Sequence, residues 1–214
     1  MLPRLQILID LLHRSADAAL ASHSVAMPGF PFASALPFAT DGQHRPIILI
    51  SRLSEHTQNL LADARASLLV YRRTGNGEMA RATVIGPVTP IEAEPLLVAR
   101  YLRYQPEAEL FLQLGDFRFF RLEPLQARII GGFAQAAWLA GERLTGEPAL
   151  SLADEQAALE ALAPSVPKGA ELLGIDCFGV DLQSRGERRR LAFDAPPRTG
   201  DALLHAGRIA LQRS

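Results

Sequence analysis

The chain has 214 residues, of which 48% are apolar and 21% charged, with a formal net charge of -1. That is the composition of an ordinary globular protein, long enough for one large domain or a main domain with a small companion. The near-zero charge gives no general electrostatic case for binding nucleic acid or an anionic membrane. A single cysteine, Cys177, excludes an intrachain disulfide and a cysteine-cluster metal site, which fits a reducing compartment.

Leu5, Leu8, Ile9, Leu12 and Ala16 recur at helical spacing and predict an amphipathic helix over residues 3–22. Asp10 interrupts this apolar run and no small-residue cleavage site follows, so the segment reads as a helix rather than a signal peptide. No stretch approaches the ~18 uncharged apolar residues of a membrane span. The expected location is therefore the cytoplasm, away from any membrane. Residues 28–40 alternate small and apolar side chains and predict a strand. Asp41-Gly42 is a turn dipeptide, and Pro46 to Ser51 is the continuous apolar run of a buried strand. Ser54 is placed to cap a short helix, Glu55–Asp63. Strands are predicted at Ala66–Tyr71, Ala82–Val88, Phe117–Leu122 and Ala127–Ile130. A helix opens at Pro90 and breaks near Pro106, with a further helical turn in EAELFLQLG. The loop RRTGNGEM, with two glycines around Asn76, predicts a mobile connection.

Six strands with mostly tight connections imply antiparallel pairing, and six are enough to close a small barrel. The missing helical crossovers exclude a doubly wound parallel sheet. After Gly141 the Gly, Pro and polar residues of GERLTGEPALSLADEQ read as a linker. Beyond it a helix, Asp154–Leu162, precedes a long strand, Leu172–Leu182, paired with Arg189–Phe193 across QSRGE. A last helix spans Asp201–Gln212. The expected fold class is mostly β with helices (α+β). A barrel domain occupies residues 1–146, and a small α+β domain at 147–214 leans on it because its own core is thin.

The most informative stretch for chemistry is ISRLSEHTQNL, residues 50–60, where a buried strand ends and a helix begins within a few residues. A helix start offers unpaired N–H groups and a positive dipole end. Ser51, Ser54 and Thr57 hydroxyls, the Arg52 fork and the His56 ring would complete a phosphate cradle. The alternative is that Ser54 and Thr57 only cap the helix while Arg52 is solvated. Ser34 either faces a ligand or packs as a small residue at a strand crossing. Gly131-Gly132-Phe133 and Trp138 either shape a flat aromatic pocket or end a strand, with the rings in the core. In Arg188-Arg189-Arg190, alternation points Arg189 away from its neighbours, as on a solvated edge that discourages strand pairing. No GxSxG, P-loop or GxGxxG motif is present. His13, His23, His44, His56 and His205 show no HxH or HExxH spacing, so no metal site is expected. Cys177, in an apolar strand, reads as inert core.

The runs PGFPFASALPFATDGQHRPIILISRLSEHTQNLLADARASLLV, RATVIGPVTPI and LGDFRFFRLEPLQARIIGGFAQAAWL together resemble the pyridoxamine 5'-phosphate oxidase-related split-barrel superfamily. Within it they are most similar to the HugZ-type heme-utilisation branch, chiefly through SEHTQNL and GGFAQAAWL. Residues 150–214 resemble the small domain that follows the barrel in that branch. The resemblance implies a six-stranded split barrel and a homodimer with FMN, or in some members heme, in two clefts at the subunit interface. It places the flavin phosphate against Ser51, Arg52, His56 and Thr57, with Asn59 nearby and Ser34 beneath the ring. The arginines and histidine that hold substrate phosphate in a true pyridoxamine phosphate oxidase have no counterpart near the end of the barrel, so that activity is not implied. The small domain opens with ADEQAALEAL where the branch often has a histidine-rich start. The expectation is an FMN-binding oxidoreductase of unknown substrate. The alternative is a heme-binding or heme-degrading protein, for which His205 is the one candidate axial ligand in the small domain.

Overall fold

A computed structural model describes residues 3–73, 77–131, 136–197 and 199–213. The first helix, α1 (Pro3–Arg14), ends a full eight residues before the predicted limit, and β1 (Asp17–His23) follows it. In β1 the side chains of Ala18, Leu20 and Ser22 turn inward. The outward positions include Ala19 and Ala21, which blurs the polar–apolar alternation that marks a strand. Then come β2 (Pro31–Pro37), β3 (Ala39–Thr40), β4 (Pro46–Ser51), α2 (Glu55–Ala62), β5 (Arg65–Arg73) and β6 (Met79–Pro90). Helices α3 (Pro95–Tyr104) and α4 (Ala108–Leu112) lead into β7 (Phe117–Leu122), β8 (Gln126–Ile130) and β9 (Ala136–Ala140). The short α5 (Glu142–Thr145) closes this part.

These nine strands form one antiparallel sheet in the order β2-β1-β5-β6-β7-β4-β3, with β8 on β6 and β9 on β8. The architecture is the expected split barrel with helices. It gains three strands over the six predicted, namely β1, the two-residue β3 and β9. Strand β6 makes the curl: residues 79–87 pair with β5, residues 81–85 also pair with β8, and residues 88–90 pair with β7. At this corner a Cβ on Gly86 would lie 1.9 Å from the Glu123 carbonyl oxygen, so only glycine lets the two segments cross.

Helix α1 fills the inside of the curl, packing Leu5, Leu8, Ile9 and Leu12 against Leu20, Leu68, Val84 and Phe120. Strand β4 is covered on both faces. Ile48 and Ile50 join that core, while Ile47 and Leu49 meet Leu97 and Tyr101 of α3 and Phe119 of β7. Its continuous apolar run is thus used up within one chain.

The remaining part has α6 (Leu152–Leu162), β10 (Ala170–Asp176), β11 (Gly179–Ser184), β12 (Glu187–Ala192) and α7 (Gly200–Gln212). The single strand expected at Leu172–Leu182 is two strands. The Asp176 carboxylate accepts hydrogen bonds from the N–H groups of Phe178 (2.7 Å) and Gly179 (3.1 Å) and folds the chain back at Cys177-Phe178. Leu159, Leu162, Ile175, Val180, Leu203 and Leu211 give this unit its own core, while Cys177 and Phe178 insert into the core of the barrel. No helix among the described residues is long and apolar enough to cross a membrane.

Candidate functional site

Strand β4 delivers Ser51 to the start of α2, and α2 lies against β1 and β2. This brings Ser34 and His56 together: Ser34 Oγ is 3.2 Å from His56 Nδ1. His56 is half-buried, and that burial pulls its pKa below the ordinary histidine value, so the ring is neutral at physiological pH. Its Nε2 has no protein partner among the described residues.

The hydroxyls behave differently from the predicted cradle. Ser51 Oγ donates to Asp116 Oδ2 at 2.5 Å and accepts from the Leu53 N–H at 3.1 Å. Thr57 Oγ1 donates to the Ser51 carbonyl at 2.7 Å, and Ser54 Oγ lies 2.9 Å from the same carbonyl and 2.8 Å from Thr57 Oγ1. Ser54 stands at the N-cap position but makes no side-chain cap bond. The turn closes on itself, and its hydroxyl protons are committed inside it. Asn59 is fully buried. It accepts from the Val25 N–H at 2.8 Å and donates to Ser22 Oγ at 3.3 Å, which braces the β1–β2 loop. The Arg52 guanidinium is exposed, while its backbone is fixed by Asp116 and Gln58. Of the six sequence-derived residues, Ser34 and His56 are brought together half-buried, and Arg52 is exposed. Ser51, Thr57 and Asn59 hold the frame. The N–H groups of Glu55 and His56, ahead of the first helical hydrogen bond, remain as donors.

Apolar side chains are exposed in two places. Met27 and Phe30 of the β1–β2 loop are exposed, as are Tyr71, Ile85 and Leu125 on the outer face of the sheet. Trp138 is 57% exposed on β9, with the Arg128 guanidinium over its ring at 5.4 Å, so the core reading of Trp138 does not hold. Gly131 is described, whereas Gly132 and Phe133 of the same motif, like Asn76 of the RRTGNGEM loop, lie outside the described residues. A groove of about 470 Å³ runs past Ala21, His23, Ser67, Ile85, Pro87 and Leu125. His205 is exposed on α7, beside a separate groove with Phe193 and Ile209.

A second cluster, buried between the barrel and the C-terminal unit, is absent from the sequence reading. His13 Nδ1 is 2.6 Å from Asp181 Oδ2, and His13 Nε2 is 2.9 Å from His44 Nδ1. Arg190 donates to both oxygens of Asp176 (2.7 and 2.8 Å) and to Asp181 Oδ1 (2.8 Å), and Tyr104 Oη donates to Asp181 Oδ2 at 2.6 Å. Burial opposes charge on Asp176, but the Arg190 guanidinium together with the His13 and His44 rings overcomes it and holds the carboxyl at about 2. Burial likewise lowers His44 to about 3. A ring nitrogen each of His13 and His44 and a carboxylate oxygen of Asp176 lie within 4.8 Å of one another, a grouping that motif spacing did not reveal. The cation beside them is Arg190. Arg189 is exposed as expected, but Arg188 and Arg190 are buried, so the triplet is not a solvated edge. Arg188 donates to the carbonyls of Ser15 (2.7 Å) and Tyr104. Only a tertiary contact supplies such partners, which is why alternation alone misread the run.

Residues 9–145 match the family described as CREG, beta-barrel. Over 134 residues the chain is 33% identical to the chloroplastic non-canonical heme oxygenase HOZ of Arabidopsis thaliana. That alignment takes in 62% of this chain and 41% of the plant protein, so the chain spans about two fifths of that relative's length. Among solved structures, a protein of unknown function from Agrobacterium tumefaciens superposes with a TM-score of 0.77 at 26% identity, covering 96% of this chain and 94% of that one. A heme-binding protein from Mycobacterium smegmatis superposes with a TM-score of 0.64 at 23% identity, covering 100% and 98%. At that identity the second likeness speaks to the fold alone.

Proposed function

The chain belongs to the CREG β-barrel family, and from that premise we propose that it binds heme beside Ser34 and His56, in a cleft completed by a second copy of the chain. The observation that carries the reading is the His56 ring. In the tautomer that donates Nδ1–H to Ser34 Oγ, Nε2 keeps its lone pair, and partial burial favours the neutral ring. That is the protonation state in which His56 could hold the heme iron. Arg52, exposed at the mouth, suits a propionate. Kinship with the plant heme oxygenase supports heme breakdown as the activity, in the manner of the HugZ-type branch. Heme when bound would supply the iron chemistry, and the chain would position it and exclude water. The second copy is expected to seat on the exposed face carrying Tyr71, Ile85, Leu125 and Trp138.

FMN is the second reading. It rests on Arg52 and the open N–H groups at the start of α2, which would reward a dianionic phosphate. The committed hydroxyls of Ser51 and Thr57 weaken it, because a phosphate there would have to break the turn or forgo them.

One set of titrations separates the two. Hemin, FMN and riboflavin are titrated into wild type, His56→Ala, Arg52→Ala and His205→Ala. The heme reading expects a Soret band whose affinity falls about tenfold or more in His56→Ala, the scale of losing an interaction of roughly 1.5–3 kcal/mol, and is unchanged in His205→Ala. Tight FMN binding, with riboflavin much weaker and Arg52→Ala impaired, would overturn the heme reading in favour of flavin.

A further inference from the structure

The C-terminal unit meets the barrel through a polar junction whose centre, at His13, His44, Asp176, Asp181 and Arg190, is buried. The barrel side presents Asp10 and His13 from α1, Thr40 from β3, His44 from the turn after it, and Arg100, Arg103 and Tyr104 from α3. The C-terminal side presents Glu155 from α6, Asp176 from β10, Asp181 from β11, and Arg188 and Arg190 from β12. Arg100 donates to Glu155 and, through Nε, to the Thr40 carbonyl at 2.6 Å. Arg103 donates to the Leu173 carbonyl at 2.8 Å, and Arg190 Nε lies 3.6 Å from Asp10 Oδ1. Each acid at the junction has a base facing it. His44 has no such arrangement.

The His44 ring is 2% exposed. One nitrogen faces His13 at 2.9 Å, the other is buried with no hydrogen-bond partner, and the ring rests 5.6 Å from Phe178. Burial opposes a proton there most, the charges of His13, Arg190 and Arg100 add to it, and Asp176 favours one. A second proton on this ring would be left without an acceptor in a desolvated site, which the closed junction cannot accommodate. Separation of the two units exposes the same ring to water.

We propose that the junction between the barrel and the C-terminal unit is an acid-opened clasp, released when the buried, half-unpartnered His44 ring takes up a proton. The linkage has a definite sign. The closed-state pKa of His44, about 3, lies below the ordinary 6.5. The closed form is therefore fully favoured above 6.5 and loses ground as pH falls from 6.5 toward 3. Asp176, at about 2, keeps its charge through this window, so the histidine acts first. Phe178 and Leu173, seated in the two barrel cores, provide the restoring force. The C-terminal unit has its own apolar core and the barrel sheet has another, so each has the means to stay folded while they part.

The test is amide hydrogen exchange of the full chain from pH 7.5 to 5.0, corrected for intrinsic rates. Peptides covering 39–45 and 170–192 report the junction, and those covering β5 and the β6 residues 79–90 report the sheet. The junction opening constant should rise up to tenfold per pH unit below about 6, the slope of one proton, while the sheet peptides keep their protection. His44→Asn, which tolerates the left-handed backbone there (φ 62°), should flatten this slope. Phe178→Ala should raise opening at every pH without changing the slope. Sheet and junction losing protection together, or a wild-type slope in His44→Asn, would overturn the clasp. Histidine C2–H exchange on the wild type gives an independent reading that needs no variant: a His44 midpoint near 6.5 in the closed protein sinks the proposal.

Discussion

Arg190 and Arg189 are chemically identical neighbours with opposite fates. The Arg190 side chain is wholly buried against Asp176 and Asp181, whereas Arg189 is exposed on the other face of β12. Removing Arg190 leaves two buried carboxylates short of their cation, and breaking a buried pair in this way costs about 3–5 kcal/mol. Arg190→Ala should therefore lower the denaturation midpoint sharply, while Arg189→Ala should change stability by no more than about 0.5 kcal/mol. Equal midpoints in a urea titration would remove the structural role given to Arg190. Asn59 carries a similar lesson. It stands among the residues expected near a phosphate, yet both ends of its amide are spent on Val25 and Ser22.

Strand β6 decides the shape of the sheet because one continuous element pairs with three neighbours. The crossing at Gly86 is too close for any side chain, with the Glu123 carbonyl occupying the place of a Cβ. Gly86→Ala should destabilise by about 1–3 kcal/mol, the usual cost of overpacking. Gly200→Ala, at the exposed start of α7 with nothing within 4 Å, should be neutral or stabilising by about 0.4–1 kcal/mol. Thermal melts of the two variants check the contrast, and a Gly86→Ala protein as stable as wild type would show that the corner can yield.

At the scale of the whole molecule, apolar surface left uncovered after folding is where a second copy would seat. Helices α1 and α3 cover both faces of β4 and much of β7. Exposed apolar groups on the outer sheet face include Tyr71, Ile85, Leu125 and Trp138. If a second copy seats there, sedimentation of wild type should give a dimer at micromolar concentration and Ile85→Lys should give a folded monomer, because a buried unpaired ammonium is excluded from such an interface. Hemin affinity should fall when dimerisation is lost, since the proposed cleft needs both copies. An Ile85→Lys protein that remains dimeric would move the interface elsewhere.

Local signals were enough for much of this molecule. Periodicity located α1, α2, α6, α7 and the β4 to β8 strands, and the polar cluster at residues 51–57 pointed to the start of α2. Even so, β1 and β9 escaped, because alanine at outward positions hides the alternation that marks a strand. The fate of each hydroxyl in SRLSEHT, the pairing of Ser34 with His56, and the meeting of His13 with His44 and Asp176 were decided by the tertiary structure alone. Sequence patterns report which face of an element is apolar. They carry no record of which distant donor will reach a given acceptor, and burial of charge depends on that partner being there.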